Sequence, residues 1–280
     1  MKLIQKLAVG YFRVNIKVLA FISSKWAAKK AFKLFCTPFS RSKIKTSVLF
    51  EKAEKLFLIA GSEKLVGYRW NHPQPKRFLI LHGFQSSAKN FERFVQPMVR
   101  KGYEVIAFDA PAHGESAGKQ INVLQYRSMI VDICNTYGPV HAFMAHSFGG
   151  LAISLALENI DHTNETKMVL IAPATETSTA IQSLYNTLRL NTETRLEFER
   201  LVFNAGGQPV AWYSIVRALK NIKASILWFQ DENDDVTPIA DVQPVIEANY
   251  SNIAFNITKG LGHRRIYHDT DVLNAVLAFL

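Results

Sequence analysis

From residue 77 onward the chain alternates two patterns. Short runs with scarcely a polar break are RFLILHG (77–83), EVIAFDA (104–110), VHAFMAH (140–146), KMVLIAP (167–173) and ASILWFQ (224–230). Between them lie stretches such as NFERFVQPMVRK and GLAISLALEN, whose apolar positions recur every three or four residues. Consecutive apolar positions suit a strand covered on both faces, and the longer period suits helices. Their alternation predicts an α/β fold with a mostly parallel central sheet flanked by helices. Ahead of it, SVLFEKAEKLFLIA and EKLVGYRW flank Gly61-Ser62 and predict an antiparallel hairpin within residues 46–70. A last strand-like run, NIAFNITKG, precedes the C-terminal stretch RRIYHDTDVLNAVLAFL.

One connection is out of scale. About fifty residues separate Ala174 from Ala224, too many for a crossover of one helix and two short turns. AIQSLYNTLRL, ETRLEFERLVF and PVAWYSIVRALK are helical in pattern, with a break at Gly206-Gly207. A small helical cap over residues 175–222, inserted over the sheet after the strand ending near Pro173, is expected. An elaborated crossover with no role at a site is the simpler alternative.

The N-terminal segment, residues 1–45, stands apart from the domain of residues 46–280. At helical spacing Leu3, Leu7, Tyr11, Val14, Val18 and Ile22 fall on one side, and Lys2, Lys6, Arg13 and Lys17 on the other. Two readings stay open. Residues 1–33 lie on an anionic membrane surface, or the helix docks on the protein's own body with its basic face in water. An organelle-targeting peptide has the same character, whereas Arg13 and Lys17 interrupt the apolar region a secretory signal needs.

Charge sharpens that division. The net charge is +10, yet the first fifty residues hold eleven Lys and Arg and no Asp or Glu, which leaves the rest near neutrality. The basic balance therefore says nothing about the main domain. No recognised nucleic-acid-binding motif accompanies it, so no nucleic-acid partner is expected. Hydrophobic residues make up 48% and charged residues 20%, which predicts a packed core. Cys36 and Cys134 are too few for a disulfide framework and lack metal-ligand spacing. A reducing, cytoplasmic setting follows, with peripheral membrane attachment if the basic segment docks. No apolar run reaches the roughly 18 residues of a membrane span.

In an open α/β sheet the ligand sits beyond the carboxyl ends of the strands, so the residues after each apolar run matter most. These are His82-Gly83-Phe84, Asp109 in DAPAHGES, Ser147 in AHSFGG, the acids of DENDDVTP, and His263 after Leu261-Gly262. Small residues around Ser147 suit a sharply bent backbone that raises the hydroxyl toward solvent. A plain helix N-cap would need neither the preceding apolar run nor the paired glycines.

In that order, serine, acid, histidine, the motifs over roughly residues 46–280 resemble the α/β-hydrolase family. The family's small-x-Ser-x-Gly elbow is matched by Ala145, His146, Ser147, Phe148 and Gly149, with Ala where Gly is commoner. The resemblance implies Ser147 as nucleophile and His263 as its general base, with His268 as rival inside the C-terminal helix. It favours Asp234, four residues before Pro238, as the acid that orients the histidine; Asp235 is next, and Asp231 reads as a loop-capping side chain. It further implies an oxyanion site of the Phe84 and Phe148 backbone N–H groups, with those two rings either walling a pocket or simply packed. Asp109 and His113 take structural roles and His82 orients its own loop.

The implied reaction is serine hydrolysis of a small-molecule carboxylic ester, with thioesters next, and without metal or organic cofactor. Epoxide hydrolases and haloalkane dehalogenases of this fold place an aspartate where this chain has Ser147. An aminopeptidase needs an acidic cluster for the substrate amine, but Glu193, Glu197 and Glu199 are interleaved with Arg189, Arg195 and Arg200. A non-catalytic hydrolase-like protein that binds membrane through its basic N-terminus is the alternative from another class. Nothing in the sequence sets an oligomeric state.

Overall fold

The computed structural model describes residues 3–39, 41, 46–61 and 63–280. Lys2, Lys43, Lys45 and Ser62 lie outside them, as do the side chains of Leu3 and Lys6. In chain order come α1 (Leu3–Ile22), α2 (Ser24–Phe35), the single turn α3 (Val48–Glu51), β1 (Glu54–Ala60), β2 (Glu63–Trp70) and β3 (Lys76–Leu81). Next are α4 (Glu92–Arg100), β4 (Tyr103–Phe108), α5 (Val123–Tyr137), β5 (Ala142–His146), α6 (Phe148–Ala156) and β6 (Lys167–Ile171). Then α7 (Thr177–Leu188), α8 (Thr192–Gly206) and α9 (Ile215–Ala218) precede β7 (Ser225–Asp231). The chain closes with α10 (Ile239–Ala248), β8 (Ile253–Thr258), α11 (Gly262–Arg265) and α12 (Thr270–Phe279).

These elements form two compact units, Pro38–Thr175 with Ile215–Leu280 and Met1–Thr37 with Glu176–Ser214. The first is built on an eight-stranded sheet of order β1-β2-β4-β3-β5-β6-β7-β8. β2 pairs antiparallel with β1 and β4, and all other neighbours are parallel. The apolar runs occupy its middle: every residue of β4 and β5 is buried, while the edge strands β1 and β8 leave alternate positions open. Buried Glu104 on β4 accepts a hydrogen bond from His72 Nδ1 at 2.8 Å and is balanced by Arg77 at 3.4 Å and Arg69 at 3.8 Å, because a charge removed from water needs partners.

The predicted hairpin is present, but it is shorter than the apolar pattern suggests. Residues 48–51 form the turn α3 because Ser47 Oγ accepts the Phe50 N–H and caps it. Phe50 then meets Tyr68 and Trp70 edge-on, at 4.9 and 5.0 Å between ring centres. α6 is buried along its length, and its two glycines bring it against the strand ends. A Cβ at Gly149 would lie 2.7 Å from the His82 carbonyl oxygen, and one at Gly150 would lie 2.6 Å from Pro173 Cβ.

In the second unit α1 and α2 join α7 and α8 around one core. The sequence sets residues 1–45 apart from the insertion at 175–222; residues 1–37 and 176–214 instead pack together. Ala27, Ala28 and Ala31 give α2 a flat, fully buried face, and Phe198 of α8 packs edge-on against Phe32, Phe35 and Tyr185. α8 ends at Gly207, whose φ of 69° is the left-handed geometry glycine adopts freely. α1 docks through Ile16, Phe12, Leu19 and Ala20, and the Arg13 guanidinium bonds the Thr187 carbonyl. The docking face is therefore not the stripe of Leu7, Tyr11, Val14, Val18 and Ile22, all of which are exposed.

Candidate active site

β5 runs buried to His146, and α6 begins at Phe148. Ser147 makes the whole turn between them, at φ 53° and ψ −120°. A residue with a Cβ rarely holds a positive φ, so the surrounding structure must impose it. Three bonds do so: Ser147 N–H donates to Ile171 O at 3.2 Å, and Ser147 O accepts from Gly150 N at 2.9 Å and Ala174 N at 2.9 Å. Gly83 leaves the room required, since a Cβ there would lie 2.9 Å from both Ser147 Cβ and His146 Nδ1.

His263 arrives on α11, just beyond β8. Its Nε2 lies 3.0 Å from Ser147 Oγ and its Nδ1 lies 2.8 Å from Asp234 Oδ2. With Nδ1–H donating to the carboxylate, Nε2 is the basic nitrogen facing the serine. Asp234 is buried after β7 and accepts on Oδ1 from Val236 N at 2.8 Å and Thr237 N at 2.9 Å. Thr237 Oγ1 donates to Oδ2 at 2.8 Å. Burial pushes the Asp234 carboxyl up, but the bonds from His263 and then Thr237 outweigh it and hold the group below its ordinary range.

The loop's other acids are placed differently. Asp231 is buried and accepts from Asn233 N at 3.0 Å, Thr258 Oγ1 at 2.7 Å and Leu261 N at 2.9 Å, tying the end of β7 to the loop that carries His263. Glu232 is exposed and pairs with Lys259 at 3.3 Å, and Asp235 is exposed. His268 is exposed at the end of a 3₁₀ turn ahead of α12 rather than inside that helix, because Asp269 caps α12 by accepting the Asp271 and Val272 N–H groups.

Phe148 is the first helical residue of α6, so its N–H has no acceptor within the helix. Among the described residues nothing accepts the Phe84 N–H either. The two rings meet edge-on at 5.9 Å, both half-buried, with Phe148 also 5.6 Å from Tyr126 and Phe84 5.4 Å from His113. The loop beneath them is pinned by neutral imidazoles. His82 Nδ1–H donates to Gly83 O at 2.8 Å and Nε2 accepts from Ala110 N at 2.9 Å; His113 Nδ1–H donates to Pro111 O at 2.9 Å and Nε2 accepts from Gln85 N at 2.9 Å. Burial lowers each to about 4, helped at His113 by His82. Asp109 accepts from Ala88 N and Glu115 N, both at 2.9 Å, which makes it a loop clamp.

Two residues beside the site were not picked out from sequence. Thr237 bonds Asp234 and sits 3.2 Å from His263 Nδ1. His146 Nε2–H donates to the His263 carbonyl at 3.0 Å, its ring 4.8 Å from the His263 ring. Burial and then the His263 charge lower its pKa to about 3. The only sequence signal for either is a polar residue next to a motif. Among the described residues no three His, Cys, Asp or Glu side chains gather as a metal site.

Residues 73–202 match the family described as serine aminopeptidase, S33. A Mycoplasma pneumoniae relative named as an esterase/lipase is 25% identical over 111 residues, 38% of this chain and 41% of that one. The uncharacterized hydrolase YugF of Bacillus subtilis is 29% identical over 94 residues, 32% of this chain and 34% of that one. These matches thus span about two fifths and one third of the relatives' own length. Among solved structures, the esterase Pf2001 of Pyrococcus furiosus is similar with a TM-score of 0.64 at 20% identity, covering 87% of this chain and 95% of that one. The thioesterase domain from the curacin biosynthetic pathway gives 0.57 at 15% identity, covering 81% and 98%. With the sheet order and the strand–serine–helix turn, these likenesses give the chain the α/β-hydrolase fold.

Proposed function

We propose that this chain is a serine hydrolase of small carboxylic esters, working through an acyl-enzyme on Ser147. The observation that carries the reading is the line from Asp234 to His263 to Ser147, at 2.8 and 3.0 Å, ending on a serine at positive φ. Ser147 Oγ attacks the acyl carbon while His263 Nε2 takes the hydroxyl proton, and Asp234 stabilises the imidazolium that forms. The negative oxygen of the tetrahedral intermediate is received by the Phe84 and Phe148 N–H groups. The C–O bond to the alcohol then breaks as His263 returns the proton to the leaving oxygen. Water, deprotonated by the same nitrogen, attacks the acyl carbon and releases the acid with Ser147 restored.

Thioesters fit the same steps, with a thiolate leaving in place of the alkoxide. An amide reading comes from the S33 match, but the acids of α8 have local partners: Glu197 bonds Arg200, and Glu199 lies by Tyr185. The test is labelling with a fluorophosphonate, followed by parallel turnover of p-nitrophenyl esters, acyl thioesters and aminoacyl anilides. Labelling confined to Ser147 and absent from Ser147→Ala, with esters turned over fastest, is the expected result. An unlabelled, well-folded chain would favour the non-catalytic alternative.

A further inference from the structure

α1 holds two apolar faces, and only one of them is used. Ile16 and its neighbours pack inward, while Leu7, Tyr11, Val14, Val18, Phe21 and Ile22 form a second stripe at helical spacing in water. Phe21 is 95% exposed and Leu7 and Tyr11 are each 66% exposed. A contiguous apolar stripe of this kind on a folded chain marks a surface that another body covers. Charge says which body. The first fifty residues carry no Asp or Glu. Arg13 and Arg41 are engaged by backbone carbonyls, whereas Lys17, Lys25, Lys29 and Lys30 are exposed. At the corner between α1 and α2, Phe21 and Ile22 are followed after two serines by Lys25 and by Trp26, 57% exposed.

We propose that the exposed stripe of α1, with Trp26 and the lysines of α2, is a docking surface for an anionic lipid bilayer. The apolar side chains enter the boundary between headgroups and acyl chains, the tryptophan sits at headgroup level, and the ammonium groups meet lipid phosphates. No described helix is long and apolar enough to cross a membrane, so the mode is attachment to one leaflet. A second copy of the chain is the poorer occupant, because it would bring the same lysines face to face. The surface stands independently of the ester chemistry and is tested without it.

The experiment is co-flotation of the full chain with phosphatidylcholine vesicles, with and without phosphatidylglycerol, at low and high salt. Binding should require phosphatidylglycerol and fall by about tenfold or more in high salt, since exposed charges are screened. Tyr11→Ser/Val14→Ser/Val18→Ser/Phe21→Ser and Lys25→Glu/Lys29→Glu/Lys30→Glu should each lose about tenfold or more in partition. Both should keep the helical circular dichroism of the parent; if the serine variant does not, the charge variant decides. Absent binding, equal binding to neutral vesicles, or undiminished binding by the charge variant overturns the proposal. So does a dimer in sedimentation that the serine variant abolishes while vesicles capture nothing, which would give the stripe to a second copy.

Discussion

The His263 imidazole is held from both ends, by Asp234 at Nδ1 and Ser147 at Nε2, and from behind by His146 at its carbonyl. Each hold has a separable consequence. Asp234→Asn places an amide against Nδ1 and favours the wrong tautomer, so kcat is expected to fall by about 10⁴ with the thermal midpoint nearly unchanged. A loss within tenfold would reassign the orienting role. His146→Phe keeps the ring contacts but loses the bond to His263 O, and a misplaced base is expected to cost about 10²-fold in kcat/KM. Ester kinetics on the two variants separate these effects. At this scale Ser147 and His263 were legible because each stands alone at a strand end in a recognisable order. Asp234 was harder to single out, as four acids crowd Asp231 to Asp235. What separates them is burial and loop direction, and only the resemblance pointed at the acid that bonds His263. Thr237 and His146 act through contacts made by folding, which adjacency in sequence does not encode.

Helix α6 depends on its glycines for its close approach to the strand ends. Gly149→Ala puts a methyl within 2.7 Å of the His82 carbonyl oxygen, and backbone cannot yield as a side chain does. A loss of about 1–3 kcal/mol in urea-unfolding stability is expected. Gly10→Ala in α1 is the contrasting case, with nothing within 4 Å of the new Cβ, and a gain of about 0.5–1 kcal/mol is expected. Equal effects at the two sites would contradict the packing described for α6. The parallel strands were readable because both faces are buried and the runs are continuous. The residues of α3 were not, since a four-residue apolar stretch looks alike as strand end or capped turn until Ser47 decides. α1 misled in a different way: it has two apolar faces, and periodicity cannot say which one meets the neighbouring helices.

Across the whole chain, three buried neutral imidazoles set how stability follows pH. Unfolded, each histidine titrates near 6.5; folded, His82 and His113 are lowered to about 4 and His146 to about 3. Between those values the unfolded chain binds more protons, so stability rises with pH through that window and is lost as pH falls from 6.5 toward 4. Asp234, also lowered in the fold, adds a loss at still lower pH as its carboxylate protonates. Unfolding free energies from urea titrations should therefore drop between about pH 7 and about pH 5, by on the order of a few kcal/mol in all; a flat profile would contradict neutral burial of these rings. The division into two units was only partly visible in sequence. An insertion after β6 can be counted, but the packing of residues 1–37 with residues 176–214 is a long-range pairing that no local pattern carries.

An acyl group carried on Ser147 is directly observable by rapid mixing with a p-nitrophenyl ester. A burst approaching one p-nitrophenolate per chain is expected, with an intact mass raised by one acyl group and that group mapped to the peptide containing Ser147. Turnover without a burst or mass shift, persisting in Ser147→Ala, would show that this serine is not the nucleophile.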